Sequence, residues 1–113
     1  MPASDFKPWN IDLVIDGSSG DEDLEQEWAL LAKEIFGLWK QRQKKYGSSN
    51  IAAFGEMGCL VRGYDKIARL RNALFNHAGL QADDESVEDS WKDLMNYALM
   101  GLLCRRGKWA GAK

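Results

Sequence analysis

Residues 83–105 constrain the fold most, because they predict one helix whose two halves differ in character. Asp83 or Asp84 can cap its start, and Gly107 marks its expected end. A helix turns by about 100° per residue, so apolar side chains at three- and four-residue steps share one face. That face consists of Val87, Trp91, Leu94, Ala98 and Leu102.

The opposite face carries a row of three acidic side chains and one amide: Glu85, Asp89, Asp93 and Asn96. Further along, this face becomes apolar at Met100, and a helix that is apolar on every side is usually buried on every side. A carboxylate at the edge of a buried apolar segment costs free energy unless a cation, a metal or a hydrogen-bond donor contacts it. We therefore expect Asp93 to be sheltered and partnered. In the alternative, the acids are solvent-exposed charges that offset the helix dipole, which suits the first turn best.

Another helix is predicted over residues 21–46. Its apolar stripe comprises Leu24, Trp28, Leu31, Ile35, Leu38 and Trp39, a spacing typical of a bundle or coiled coil. Gly47 follows the last turn, the expected position for a helix end. Arg42 belongs to a basic run near this end, where cations are favoured by the helix dipole.

The middle segment predicts a helix over residues 57–76. Gly55, Gly58 and Gly63 weaken its beginning, and they indicate a loop, a kink or a close approach of backbones. Opposite its apolar face, three cations line up: Arg62, Lys66 and Arg69. These side chains form either a solvated basic face or a site for a phosphate chain.

Residues 1–20 do not predict a helix, since Pro2, Pro8 and Gly17 interrupt them. Apolar residues at every second position favour an extended arm, although a frayed terminus fits nearly as well. Residues 21–109 then form a single helical domain. The fold class is all-α: a three-helix unit with an extended N-terminal arm, which completes a helical bundle by oligomerisation.

Composition narrows the partners. A net charge of −2 argues against a duplex nucleic acid binder, whose affinity depends on many Lys and Arg contacts to phosphates. An apolar fraction of 45 % with five Trp exceeds what a small three-helix unit needs for its interior, which favours a homo-oligomer. Cys59 and Cys104 are expected to be buried, reduced thiols. No long apolar run is present, so we expect no membrane span and a cytoplasmic location.

The available chemistry suits a nucleotide. The chain has one His and no phosphate-binding loop or metal-binding Cys cluster. Carboxylates can hold Mg²⁺ through oxygen, while Arg and Lys neutralise phosphates. We predict phosphate binding by Arg62, Lys66 and Arg69, and ligand binding by Tyr46, Asp89, Asp93 and Asn96. Asp89 and Asp93 are also candidate Mg²⁺ ligands, and Tyr46, Tyr64 or Trp91 could stack on a base.

Three ordered segments resemble a family of small phage and prophage proteins described as nucleotide-modification-associated domains. They are Tyr46-Gly-Ser-Ser-Asn50, Tyr64-Asp-Lys-Ile-Ala-Arg-Leu70 and Glu85-Ser-Val-Glu-Asp-Ser-Trp-Lys-Asp-Leu-Met-Asn-Tyr-Ala98. The resemblance covers roughly residues 46–105. It implies a helical protein that acts in viral nucleotide handling.

A more distant similarity is to the all-helical MazG-type nucleoside triphosphate pyrophosphatases, which implies Glu-x-x-Glu and Glu-x-x-Asp motifs that together hold Mg²⁺. Glu22-x-x-Glu25 is present and Asp93 matches the final Asp, but Ser90 stands where the second motif has its Glu. The sequence leaves three hypotheses for the function. The protein binds a nucleotide and could sequester a signal used in host defence, or it is a Mg²⁺-dependent nucleotide pyrophosphohydrolase, or it is a structural helical oligomer.

Overall fold

The computed structural model describes residues 15, 17–76 and 84–112, with side chains from residue 86 in the last range. Within these residues it contains three α-helices and no strand, so the all-α prediction is confirmed. The helices are α1 (Glu22–Tyr46), α2 (Ser49–Arg71) and α3 (Asp84–Arg105), and a π-helical turn, Asn72–Asn76, directly follows α2. The arm predicted over residues 1–20 lies mainly outside the described residues.

The chain divides after Glu34 into two compact units. In the first unit, the side chain of Asp21 caps α1 by accepting a hydrogen bond from the backbone N–H of Leu24 at 3.1 Å. The Glu25 carboxylate reaches back to the backbone N–H of Ser19. The backbone and side chain of Ser19, together with the Ser18 hydroxyl, hold the pKa of Glu25 below its ordinary value against a small opposing effect of burial.

Both predicted glycine stops end their helices. Gly47 has φ 72° and donates its N–H to the carbonyl of Gln43, while Gly107 has φ 68° and donates to Cys104. Lys108 N–H also bonds the Leu103 carbonyl, which completes a Schellman arrangement at the end of α3. The bounds of α1 and α3 therefore agree with the sequence to within one residue.

The start of α2 differs from the prediction. The helix begins at Ser49 instead of residue 57, and it is kinked at Gly55, whose φ of 61° and ψ of −144° suit only glycine. Gly63 has a different role: a Cβ there would lie 3.4 Å from the Leu94 side chain. Of the three possibilities for the glycine-rich start, the structure shows a kink, at Gly55.

Helices α2 and α3 pack as an antiparallel pair. Glu56 near the start of α2 contacts Arg105 at the end of α3, and Lys66 further along α2 contacts Asp93. A Cβ added at Gly101 would lie 3.4 Å from the Cβ of Cys59. Small residues thus let the two helices approach closely at two levels of the pair.

The core of the second unit centres on Ile51, Cys59, Met100 and Trp109. Trp109 lies beyond α3 and is 6 % exposed. Its indole N–H donates to the carbonyl of Ser48 at 2.9 Å, and its ring meets Trp39 of α1 edge to face at 6.1 Å. Cys59 is buried and Cys104 half-buried, both as free thiols. Burial is the main cause that raises the pKa of Cys59.

The apolar face predicted for α3 is not the face that is most buried. Trp91 is 53 % exposed and Leu102 is also exposed, whereas Ser90, Asn96 and Met100 are buried. The periodicity identifies residues that share a face, but the second unit covers a different side of the helix. No helix among the described residues is long and apolar enough to cross a membrane.

Candidate ligand-binding cavity

A cavity of about 380 Å³ lies within the second unit, between the end of α1, the start of α2 and the middle of α3. Small-molecule sites commonly occupy roughly 300–1,000 Å³. Its charged, amide and aromatic lining residues are Trp39, Arg42, Gln43, Tyr46, Asn50, Arg62, Asp93, Asn96 and Tyr97.

The carboxylate of Asp93 is sheltered and contacted by two cations. Its side chain is 13 % exposed, Arg42 of α1 contacts Oδ1, and the ammonium of Lys66 lies 2.9 Å from Oδ2. Burial alone would raise the pKa of Asp93, but the hydrogen bonds and charges of Arg42 and Lys66 outweigh it and hold the pKa below its ordinary value. Asp93 is therefore ionised at neutral pH and positions both cations.

Asn96 is the least satisfied polar residue of the cavity. The residue is 4 % exposed, and its side-chain amide nitrogen has no hydrogen-bond partner among the residues that the structure describes. A buried donor without a partner costs about 1–3 kcal/mol. Because Asn96 also lines the cavity, its amide is the candidate donor for an acceptor on a bound molecule.

Positive charge exceeds negative charge at the cavity. Arg42 and Arg62 line it, and Lys66 joins them through Asp93, so three cations face one carboxylate. Asp93 neutralises about one of these charges, which leaves the guanidinium of Arg62 outside that ion-pair group. The site is electrostatically suited to an anion, and guanidinium groups bind phosphate oxygens with a planar fork of donors.

Three aromatic side chains, Trp39, Tyr46 and Tyr97, border the same cavity. Trp39 is half-buried and held by stacking on Phe36, with ring centroids 6.2 Å apart, as well as by its edge contact with Trp109. Tyr46 is exposed at the end of α1, and Tyr97 of α3 is half-buried. A planar ligand therefore has two half-buried aromatic neighbours and one exposed one.

The predicted site residues separate into two groups. Tyr46, Arg62, Asp93 and Asn96 line the cavity, and Lys66 contacts Asp93. Arg69 and Asp89 are exposed and do not line it. Tyr64 and Trp91, considered for base stacking, are also exposed and lie outside its wall.

Sequence reasoning missed Arg42 and Trp39. Arg42 was interpreted only as a cation at a helix end, and Trp39 only as part of the apolar stripe. A signal was available, because Trp39, Arg42 and Tyr46 follow one another at three- and four-residue steps and so share one face of α1.

The arrangement at Asp93 favours an anionic ligand over Mg²⁺. Both carboxylate oxygens already contact cations, and a metal would have to displace them. Among the described residues, no group of three or more His, Cys, Asp or Glu side chains is placed to hold a metal ion. Mg²⁺ binding through Asp89 and Asp93 stays a prediction.

Comparison with known proteins gives no assignment: no family model matches the chain, and neither a curated protein nor a solved structure is significantly similar to it. The chemistry of the cavity is the basis for the proposed function.

Proposed function

We propose that this protein binds a nucleotide or a nucleotide-derived small molecule in the cavity between α1, α2 and α3. The observation that carries the proposal is Asn96, a cavity-lining residue whose buried amide nitrogen has no partner among the described residues. A buried donor of this kind is expected to be satisfied by a bound acceptor, because leaving it unpaired costs free energy in every folded molecule.

The other cavity groups narrow the ligand class. Arg62 and Arg42 supply guanidinium donors for phosphate oxygens, and Trp39 or Tyr46 supplies a ring on which a base can stack. The Asn96 amide can donate to a base carbonyl or ring nitrogen. Asp93 can accept from a ribose hydroxyl or a base N–H while it holds Arg42 and Lys66. The cavity therefore suits a ligand that combines an anionic group, a planar ring and a hydrogen-bond acceptor. A nucleotide has all three features, whereas inorganic phosphate lacks the ring.

The resemblance to phage nucleotide-modification-associated proteins supports the same ligand class. In that setting the protein handles nucleotides inside an infected cell and could bind a nucleotide signal of host defence without cleaving it. A ligand sequestered in this way returns unchanged on denaturing the protein, which distinguishes storage from turnover.

The test is calorimetric titration of the protein with mono-, di- and triphosphate nucleotides, cyclic dinucleotides and ADP-ribose, using inorganic phosphate as the control ligand. We expect saturable binding of at least one nucleotide, and Asn96→Leu should weaken it about thirtyfold, roughly 2 kcal/mol. Because Leu removes the unpaired amide at nearly equal volume, the unliganded variant should be as stable as the parent or more stable.

Arg62→Ala and Arg69→Ala form a matched pair, since both cations belong to the same row of α2 but only Arg62 lines the cavity. Arg62→Ala should weaken nucleotide binding about tenfold and Arg69→Ala less than about twofold. Equal losses from both variants would point to diffuse surface charge and contradict a site in the cavity. Absence of binding to every ligand tested would also contradict the proposal.

The rival hypothesis is a Mg²⁺-dependent pyrophosphohydrolase. Chromatography of the nucleotide after incubation with the protein and Mg²⁺ distinguishes hydrolysis from binding. Recovery of intact nucleotide supports binding alone. Release of phosphate or pyrophosphate that disappears in Asp93→Asn supports hydrolysis.

Self-association is a second candidate property, and large exposed apolar side chains favour it. In the second unit these include Met57, Leu60, Tyr64, Ile67, Leu99 and Leu102. Contiguous apolar patches of this kind usually mark interaction surfaces. We propose that the three-helix unit is completed by further copies, and sedimentation equilibrium over a range of concentrations tests this. A monomer at every concentration would contradict it.

A further inference from the structure

Among the described residues of the second unit, no element covers an apolar groove that lies on the far side of the α2–α3 pair from Asp93. Its volume is about 540 Å³, and its apolar lining includes Met57, Leu60, Tyr64 and Ile67 of α2 with Ala98 and Leu102 of α3. Leu60 is 62 % exposed although it lines the groove. Because the surface is concave, two such grooves do not fit face to face, and a convex partner is required.

The first half of α1 carries a convex apolar surface of the matching kind. Leu24, Trp28 and Leu31 occur at i, i+4 and i+7, and together they are called the α1 stripe. All three are exposed, Trp28 to 66 %. A helix that presents anchors at this spacing is the usual occupant of a groove between two helices.

The charges of the two surfaces are opposite at one end of the groove. Residues 21–34, which contain the α1 stripe, hold six acidic side chains and one Lys. At the end of α2, Arg71 follows Ile67 by one turn and so lies on the groove side of the helix. At the other end of the groove, Arg105 is paired with Glu56, so the charges there balance. Among the described residues, the acidic helix is thus met by one unbalanced cation, Arg71.

We infer that the groove of one copy binds the α1 stripe of a second copy. The inference rests on the self-association proposed above and names the two surfaces that carry it. The spacing of the stripe, the apolar character of both surfaces and the charge of Arg71 agree within this one sequence, so a second copy suffices to cover either surface. When the contact is reciprocal, two copies bury two stripes in two grooves and form a closed dimer.

The test is a complementation experiment with two variants. Trp28→Glu places a charge in the α1 stripe, and Leu60→Glu places a charge in the groove. Both positions are exposed, so each variant is expected to fold, and circular dichroism checks this. Each variant alone should self-associate about thirtyfold more weakly than the parent. An equimolar mixture should recover a dimer, because the groove of the first variant and the stripe of the second are both intact.

Two matched control variants also introduce a Glu, but at positions outside the stripe and outside the groove. Gln26→Glu adds a carboxylate on the opposite side of α1 from the stripe, and Val61→Glu adds one beside Leu60, at the same 62 % exposure but outside the groove wall. Both controls should change the association constant by less than about threefold.

The remaining outcomes overturn the inference in different ways. Loss in Leu60→Glu alone would mean that grooves meet grooves. Loss in both variants without recovery on mixing would mean that each surface meets its own counterpart. Association unaffected by either variant would leave self-association standing and remove these two surfaces from it, whereas a monomeric parent protein would remove both proposals.

Discussion

The two sides of α3 differ in what they leave without a partner: one buries polar groups, and the other exposes apolar groups. Toward α1, the helix buries Asn96 and shelters Asp93, which are polar groups that need partners. Toward the groove it exposes Ala98 and Leu102, which are apolar groups that need cover. A protein selected for the stability of a single chain would do neither, because both arrangements cost free energy. The difference teaches that the first side is organised for a polar ligand and the second for another polypeptide.

The largest expected effect compares Trp109, which packs against α1, with Trp91, which is exposed on α3. Trp109→Ala should lower the free energy of unfolding by about 3–5 kcal/mol, because it removes a buried ring, its contact with Trp39 and its hydrogen bond to Ser48. Trp91→Ala, at an exposed ring, should cost less than about 1 kcal/mol in the monomer. Urea unfolding of both variants measures the difference, and equal costs would contradict the contrast between the two sides.

An intermediate effect compares two Asp residues one turn apart. Asp93→Asn should cost about 1–3 kcal/mol at pH 7, since it leaves Arg42 and Lys66 with a neutral partner. The matched variant Asp89→Asn, at an exposed side chain, should change stability by less than about 0.5 kcal/mol at that pH.

The pH dependence of the Asp93 effect has a definite sign. Its pKa is lowered in the folded protein, so ionised Asp93 contributes its full stability above the unfolded value of about 4. The contribution is lost as the pH falls through the folded pKa. The stability difference between parent and Asp93→Asn should therefore stay constant from pH 7 to about 5 and shrink below about 4. A difference that shrinks between pH 7 and 6 would contradict the ion-pair account.

The smallest expected effect concerns the groove. Leu102→Gln should change the unfolding free energy of the monomer by no more than about 0.5 kcal/mol, because the side chain is already exposed. The same variant should weaken self-association measurably. Sedimentation and thermal unfolding at low concentration separate the two readouts, and a large loss of monomer stability would show that the groove is part of the core.

Local features of the fold could be predicted from the sequence, since they depend on neighbouring residues. Gly47 and Gly107 marked two helix ends because a left-handed residue there suits glycine. The kink at Gly55 was only one of three possibilities, since the glycine pattern did not show which residue would leave the helical conformation.

The site could be predicted only in part. The place of Asp93 at the edge of an apolar segment predicted that it would be sheltered and partnered, and Lys66 of α2 is one of its two partners. Arg42 could not be placed, because its contact with Asp93 spans 51 residues and depends on how α1 packs within the second unit. The sequence also could not show which side of α3 is covered, since helical periodicity groups residues by face without identifying the packed face.

The most direct test of the binding cavity is the side-chain amide resonance of Asn96 in a ¹H–¹⁵N spectrum, assigned by its loss in Asn96→Leu. We predict that this resonance shifts saturably on titration with the nucleotide that binds by calorimetry, as its donor gains an acceptor, and that the amide protons exchange more slowly with water. An Asn96 resonance that stays unchanged while other residues respond to the nucleotide would contradict the central claim.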